Sequence, residues 1–227
     1  SSRHRLKRTE VKESLKPLLS VDAPKPWQIL AITFTNKAAN EMKTRLKAVL
    51  GDSADRIWAG TFHSICMRIL RANCEKIGYR SGFTIYDADD QKKAVSSAMK
   101  RCNIDEKQFP PKSVISTISH AKDKLMTPND LMAEAGHDIK MKKAAEVYDL
   151  YAKRLKSQNL LDFDDIIMQT VHLLRTDDEV RRYYANKFRY ICVDEYQDTN
   201  PAQFRLSELL SGGKRNIMVV GDDDQSI

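Results

Sequence analysis

Long apolar runs are missing from this chain of 227 residues. No stretch approaches the roughly 20 residues of a membrane-spanning helix, so no span is expected. The N-terminus, Ser1 to Lys16, is basic but has no apolar stretch, which excludes a secretory signal there. Cysteine is sparse: Cys66, Cys74, Cys102 and Cys192 form no C-x-x-C pair, and the five histidines do not gather beside them. That pattern argues against a zinc site and fits free thiols in a reducing cytoplasm. Glycine is scarce too, and residues 1–28 contain none. A phosphate-cradling loop of the form G-x-x-x-x-G-K-[ST] is therefore excluded from that stretch. Internal repeats and low-complexity tracts are also lacking.

What is present is an ordinary globular composition, 41% hydrophobic and 30% charged, long enough for one sizeable core or two smaller domains. The net charge of +7 is unevenly spread. Residues 91–160 carry 14 Lys/Arg against 8 Asp/Glu, whereas residues 190–227 carry 3 against 7. A basic module beside an acidic cluster suits a protein that holds a polyanion in one place and a divalent cation in another. A basic helical face that is merely solvated explains the first excess equally well.

Short runs rich in β-branched residues alternate with helical patterns. Strands are expected at Ile29–Phe34, Ile57–Phe62, Phe83–Tyr86, Tyr190–Val193 and Ile217–Val220, each followed by a polar turn, as buried parallel strands are. Between the first two, Ala38, Met42, Leu46 and Val49 recur at helical spacing, with Thr35 or Asn36 as the cap. Strand, helix, strand in this rhythm predicts an α/β fold with a parallel sheet. From Asp89 to about Asn159 the strand signals stop, and Ala144, Val147, Tyr148, Tyr151 and Leu155 fall on one helical face. A helical subdomain inserted into an α/β domain is expected, with residues 1–88 and 160–227 on one side of the division and 89–159 on the other.

Four strand-end strings carry chemistry. In Tyr190-Ile-Cys-Val-Asp-Glu-Tyr-Gln-Asp-Thr199, an apolar strand delivers Asp194 and Glu195 to the sheet edge where ligands bind in open α/β folds. One carboxylate there is suited to Mg²⁺ bridging nucleotide phosphates, and the other to accepting a proton from an attacking water. In Val219-Val-Gly-Asp-Asp-Asp-Gln-Ser-Ile227, the Gln225 amide has the donors and acceptor to sense a terminal phosphate. In Ala31-Ile-Thr-Phe-Thr-Asn-Lys-Ala-Ala-Asn-Glu-Met42, a strand runs into a helix start where Thr35 and Asn36 can meet phosphate oxygens. Lys37 follows them, as a phosphate partner or as a solvated charge. Phe34 is read either as a base-stacking ring or as a core aromatic. In Ala59-Gly-Thr-Phe-His-Ser-Ile-Cys-Met-Arg-Ile-Leu-Arg71, Thr61 and His63 occupy a second such start, His63 as backbone contact or as structural hydrogen-bonder. Leu160-Leu-Asp-Phe-Asp-Asp-Ile-Ile167 reads as an acidic first helical turn, favoured by the helix dipole.

Taken as a set, the strings ITFTNKAANEM, TFHSICMRILR, LLDFDD, VDEYQDTN and VVGDDDQSI resemble the UvrD/PcrA/Rep family of superfamily 1 DNA helicases, in the family's order from about Ile29 to Ile227. The resemblance implies a RecA-like, P-loop-NTPase-type parallel sheet with an inserted all-helical subdomain, as part of an ATP-dependent helicase. ATP and Mg²⁺ are the implied cofactors, and single-stranded DNA with its duplex junctions the implied substrate. Asp194 is implied in holding Mg²⁺, Glu195 in activating water and Gln225 in sensing the γ-phosphate. Phe34, Thr35, Asn36, Lys37, Thr61 and His63 fall on the DNA-facing motifs. The phosphate loop, the adenine-reading glutamine motif and the second core domain of that family are not found in this chain. By itself the chain is thus expected neither to hydrolyse ATP appreciably nor to unwind DNA. A non-catalytic single-strand-binding module descended from such a helicase, or the motor part of a helicase–nuclease, are the alternative readings.

Overall fold

The computed structural model describes residues 21–214 and 216–221. Six strands occur among them: β1 (Ile29–Thr33), β2 (Trp58–Thr61), β3 (Thr84–Ile85), β4 (Leu160–Leu161), β5 (Tyr190–Val193) and β6 (Ile217–Val219). The α-helices are α1 (Asn36–Leu50), α2 (Phe62–Asn73), α3 (Ala88–Arg101), α4 (Pro111–Asp123), α5 (Pro128–Glu134), α6 (Ile139–Ser157), α7 (Phe163–Thr176), α8 (Asp178–Lys187) and α9 (Pro201–Ser211). The five expected strands are all present, most of them a residue or two shorter than the apolar runs that announced them.

β2, β1, β5 and β6 form a wholly parallel sheet in that order. Leu30, Ile32, Ile191 and Val193 share one face of the sheet and are buried there, while Tyr190 and Met218 on the other face are exposed. α2 and α7 supply much of the covering core through Phe62, Ile65, Ile69, Leu70, Ile166, Val171 and Leu174. The fold is α/β, with the parallel sheet expected of a RecA-like domain.

α1 departs from expectation. It begins at the expected place, and Thr35 caps it by accepting a hydrogen bond from Ala38 N at 3.1 Å. Of its residues only Ala39 is buried, while Val49, expected on the inner face, is 80% exposed. The cause is length. Fifteen residues of helix extend roughly 22 Å, whereas the five-residue strand beneath spans roughly 17 Å, so the last turn overhangs the sheet.

The second hydrophobic cluster belongs to α3–α6. It gathers Val95, Met99, Val114, Ile118, Leu131, Val147, Tyr148, Tyr151 and Leu155, including the helical face anticipated for α6. The chain leaves for these helices at β3 and returns at β4, and the two strands pair in parallel as Thr84↔Leu160 and Ile85↔Leu161. Asn159 braces this neck: its side chain accepts from Arg80 N at 2.7 Å and donates to Arg80 O at 3.2 Å.

Between the helices and the sheet lies a buried ionic cluster that sequence periodicity did not suggest. Lys122 on α4 is almost inaccessible, and its Nζ stands 2.6 Å from Asp162 and 2.8 Å from Asp165, the N-cap and third residue of α7. Asp162 also accepts from Tyr151 Oη at 2.9 Å and Gln91 Nε2 at 3.3 Å. Burial alone raises the Asp162 carboxyl, but Lys122 and these donors outweigh it and hold the group below its ordinary range. Asp165 receives fewer donors, so burial wins there and pushes it up to about 6. For Lys122, burial favours the neutral amine, yet the two carboxylates prevail and keep it protonated.

Removing the amine leaves two buried carboxylates without their counter-ion. Lys122→Met is expected to cost about 3–5 kcal/mol in urea unfolding at neutral pH. The loss should shrink as the pH falls toward about 6, because without Lys122 to lower it Asp165 takes up a proton above the value it has in the wild type and no longer needs a cation. A pH-independent loss would contradict this account.

Candidate nucleotide and nucleic-acid edge

Because all four strands of the main sheet run in parallel, their carboxyl ends share one edge. The order β2-β1-β5-β6 divides that edge in two. The tips of β2 and β1 carry the Thr/His/Phe strings and the tip of β5 carries Asp194 and Glu195, while the acidic string after β6 lies outside the described residues.

At the β1 tip, Phe34 is half-buried and meets Phe62 edge-on, with ring centroids 5.3 Å apart. Thr35, Asn36 and Lys37 are exposed at the start of α1, where the first helical N–H groups point outward. At the β2 tip, Thr61 is buried, and its hydroxyl is committed to capping α2 by accepting from Ser64 N at 3.2 Å. Ser64 Oγ in turn donates to Thr61 O at 2.9 Å. A side chain at Gly60 would approach Ser64 Oγ to 2.3 Å, so this strand-to-helix corner is closed to anything larger than glycine. Thr61 therefore fixes the helix start, and His63 beside it is half-buried.

His63 stacks on Phe163, with ring centroids 3.7 Å apart and planes 18° from parallel. Phe163, the first residue of α7, is 56% exposed. The pair forms an open aromatic shelf beside the starts of α1 and α2, of the kind on which an unpaired base stacks. Phe163 was missed as a site residue in the sequence. Its string was readable as a helix start, but only the contact with His63, a hundred residues earlier, marks the ring as part of this edge. Burial depresses the His63 imidazole to about 4, so the ring is neutral at pH 7.

At the β5 tip, Asp194 is exposed and Glu195 half-buried. Asp194 N donates to Ile32 O at 2.9 Å, which continues the sheet pairing to its last residue. Glu195 has φ 53° and ψ 40°, a left-handed conformation unusual for a residue with a side chain. Its N–H is held by Asp194 Oδ1 at 3.0 Å. Such strain clusters at functional turns, where the surroundings over-determine it. The β6 exit runs alongside, with Tyr196 N donating to Val220 O at 3.0 Å. Gly221 lies against this turn: a Cβ there would come within 2.6 Å of Gln197 Oε1, so that side chain would have to shift. Gln225 lies outside the described residues. Among those described, no three His, Cys, Asp or Glu side chains group as a metal site. Mg²⁺ at phosphate-transfer sites commonly takes only one or two protein carboxylates, with phosphate and water filling the rest, so Asp194 is a suitable donor.

The aromatic shelf yields a measurement. By NMR, His63 should titrate near pH 4, and Phe163→Ala should raise that value toward the ordinary 6.5 by admitting water. Since the folded imidazole is the harder one to protonate, the neutral ring's contribution to stability is full above about 6.5 and is lost as the pH falls toward 4. An unshifted His63 in the variant would show that Phe163 does not cover it.

Residues 11–227 match the family described as UvrD/REP helicase N-terminal domain. The chain is 50% identical over 202 residues to the ATP-dependent DNA helicase PcrA of Staphylococcus aureus strain Mu50, covering 89% of this chain and 28% of the relative. The same figures hold for the ATP-dependent DNA helicase PcrA of Staphylococcus epidermidis strain ATCC 12228. This chain thus spans little more than a quarter of the length of these curated relatives. On the span of that family match and this level of identity, the chain belongs to the UvrD/REP helicase N-terminal domain family.

Proposed function

We propose that this chain is part of the first motor domain of an ATP-dependent DNA helicase. On this reading one sheet edge binds Mg²⁺–ATP at its acidic half and single-stranded DNA at its aromatic half. The observation that carries the proposal is the strand order: the acidic β5 tip adjoins the helix-start tips of β1 and β2 on one parallel edge. The named activity of the PcrA relatives supports the reading. Residues 21–88 and 160–221 are assigned to the motor domain, and 89–159 to a helical subdomain inserted at the β3–β4 neck.

In this reading Glu195 is the base that takes a proton from the water attacking the γ-phosphate. Its left-handed backbone sets it apart from the extended strand that precedes it. Asp194 holds Mg²⁺, which when bound would neutralise charge on the β and γ phosphates. Gln225 reports on the γ-phosphate. Thr35, Asn36 and Lys37, with the open N–H groups of α1, take the DNA backbone, and Thr61 sets the α2 start that presents His63. Phe163 stacks on a base, and Phe34 supports the shelf from the core side through Phe62. Cycles of ATP binding and release would then step the full-length protein along one strand, 3′→5′ by family analogy. No helix among the described residues is long and apolar enough to cross a membrane. Action on DNA in the cytoplasm is part of the same proposal.

Two substitutions in the full-length protein test the two halves separately. Glu195→Gln should keep nucleotide binding while turnover falls by at least about 10²-fold, the usual worth of a positioned base. Retained turnover would remove Glu195 from the chemistry. Phe163→Ala should weaken single-strand binding by about 1–3 kcal/mol at fixed salt, with little change in melting temperature. Phe34→Ala, by contrast, should lower the melting temperature, because its ring packs on Phe62. Unchanged DNA affinity in Phe163→Ala would dismiss the shelf as a base platform.

A further inference from the structure

One face of α4 touches both halves of the edge. Ser119, Lys122 and Asp123 stand at steps of three and four, so they project from the same side of the helix. Ser119 Oγ donates to Asp164 at 2.6 Å, and Lys122 clamps Asp162 and Asp165 at 2.6 and 2.8 Å. All three carboxylates flank Phe163, so the first turn of α7, which presents the aromatic shelf, is gripped on each side of that ring. One position further on, Asp123 Oδ1 accepts from Asn200 Nδ2 at 2.6 Å. Asn200 caps α9 and ends the turn that begins at Glu195.

That turn is stiff. Asp198 N donates to Glu195 O at 3.0 Å, Thr199 Oγ1 donates to Tyr196 O at 2.7 Å, Asn200 Oδ1 accepts from Gln203 N at 2.9 Å and Asn200 N donates to Gln203 Oε1 at 3.0 Å. Any rotation of the turn about Glu195 must therefore be carried to Asn200. Asp123 is half-buried, and burial, then the neighbouring Asp164, raise its carboxyl above the ordinary range. Its hydrogen bond to the Asn200 amide is thus a directed contact in a partly dry place, not a solvated surface pairing.

We propose that α4 is a strut of the inserted helices which couples the Glu195 turn to the Phe163 shelf, with Asp123 and Lys122 as its positioning residues. A shift of the acidic turn moves Asn200, Asn200 moves Asp123, and the same helix carries the clamp that orients Phe163 over His63. The helical insertion then links the two halves of the edge and is more than an appendage to the sheet. This inference rests on the reading of the edge under Proposed function.

The test compares wild type, Asp123→Ala and Asp123→Asn in the full-length protein. Three quantities are measured: ATP turnover with and without a single-stranded DNA oligonucleotide, affinity for that oligonucleotide, and melting temperature. Asp123→Ala should lower the ratio of DNA-stimulated to basal turnover by about 2- to 30-fold, the range that coupling substitutions span. Basal turnover and DNA affinity should stay as in wild type. Asp123→Asn keeps an acceptor oxygen for Asn200 and should restore the ratio. An unchanged ratio in Asp123→Ala overturns the strut. So does a lowered ratio that tracks a fall in melting temperature and is not rescued by Asp123→Asn, since that is the mark of a packing role. If wild type itself shows no DNA-stimulated turnover, the reading of the edge fails, and the strut with it; a stimulated wild type with an equally stimulated Asp123→Ala removes the strut alone.

Discussion

The interaction on which the molecule most depends is the contact of Lys122 with Asp162 and Asp165. Three charges have been taken out of water at the seam between the α3–α6 helices and the sheet. Ionic groups in such a place are a poor source of net stability, since desolvation offsets most of their attraction. What they supply is selectivity. An apolar seam would tolerate sliding, whereas a buried amine with two carboxylates, a tyrosine hydroxyl and a glutamine amide has a single satisfying arrangement. The helices and α7 are thereby held in one register, and α7 carries the only exposed ring that stacks on His63 among the described residues.

The parallel sheet then does the spatial sorting. With β1 between β2 and β5, the β1 tip borders both the aromatic corner and the acidic turn. Phe34, Thr35 and Asp194 follow neighbouring strands, so on the proposed reading the carboxylates and the helix starts need no long-range relay through the sheet itself. At this edge the left-handed backbone of Glu195 is fixed by Asp194 on one side and by the Tyr196–Val220 hydrogen bond on the other.

Much of this was legible in the sequence, because the strands of the parallel sheet are short, mostly apolar runs, and helix starts leave hydroxyl and acidic caps. Thr35, Thr61 and Asp162 all act as N-caps where those signals fell. The acidic motif was readable because both its residues are adjacent in the chain. The Lys122 cluster was not, since its partners lie 40 residues away and a lysine in an amphipathic helix ordinarily points to water. Phe163 was hidden for the same reason: a ring next to three aspartates reads as part of a polar cap until its distant partner is known. Val49 misled in the opposite direction, because periodicity reports which side of a helix is apolar but not how far the surface beneath it extends.

The neck formed by β3 and β4 bears on how the chain reaches this shape. Thr84 pairs with Leu160, so this two-residue ladder closes a loop of more than seventy residues. Tying so long a loop with so few hydrogen bonds is entropically unfavourable unless the intervening chain is already compact. The helices from Ala88 to Ser157, whose contacts are mostly among themselves, must therefore collapse first and bring the two strand ends together. Assembly of the main sheet, whose β1 and β2 precede that loop and whose β5 and β6 follow it, then waits on the folding of the very segment that interrupts it.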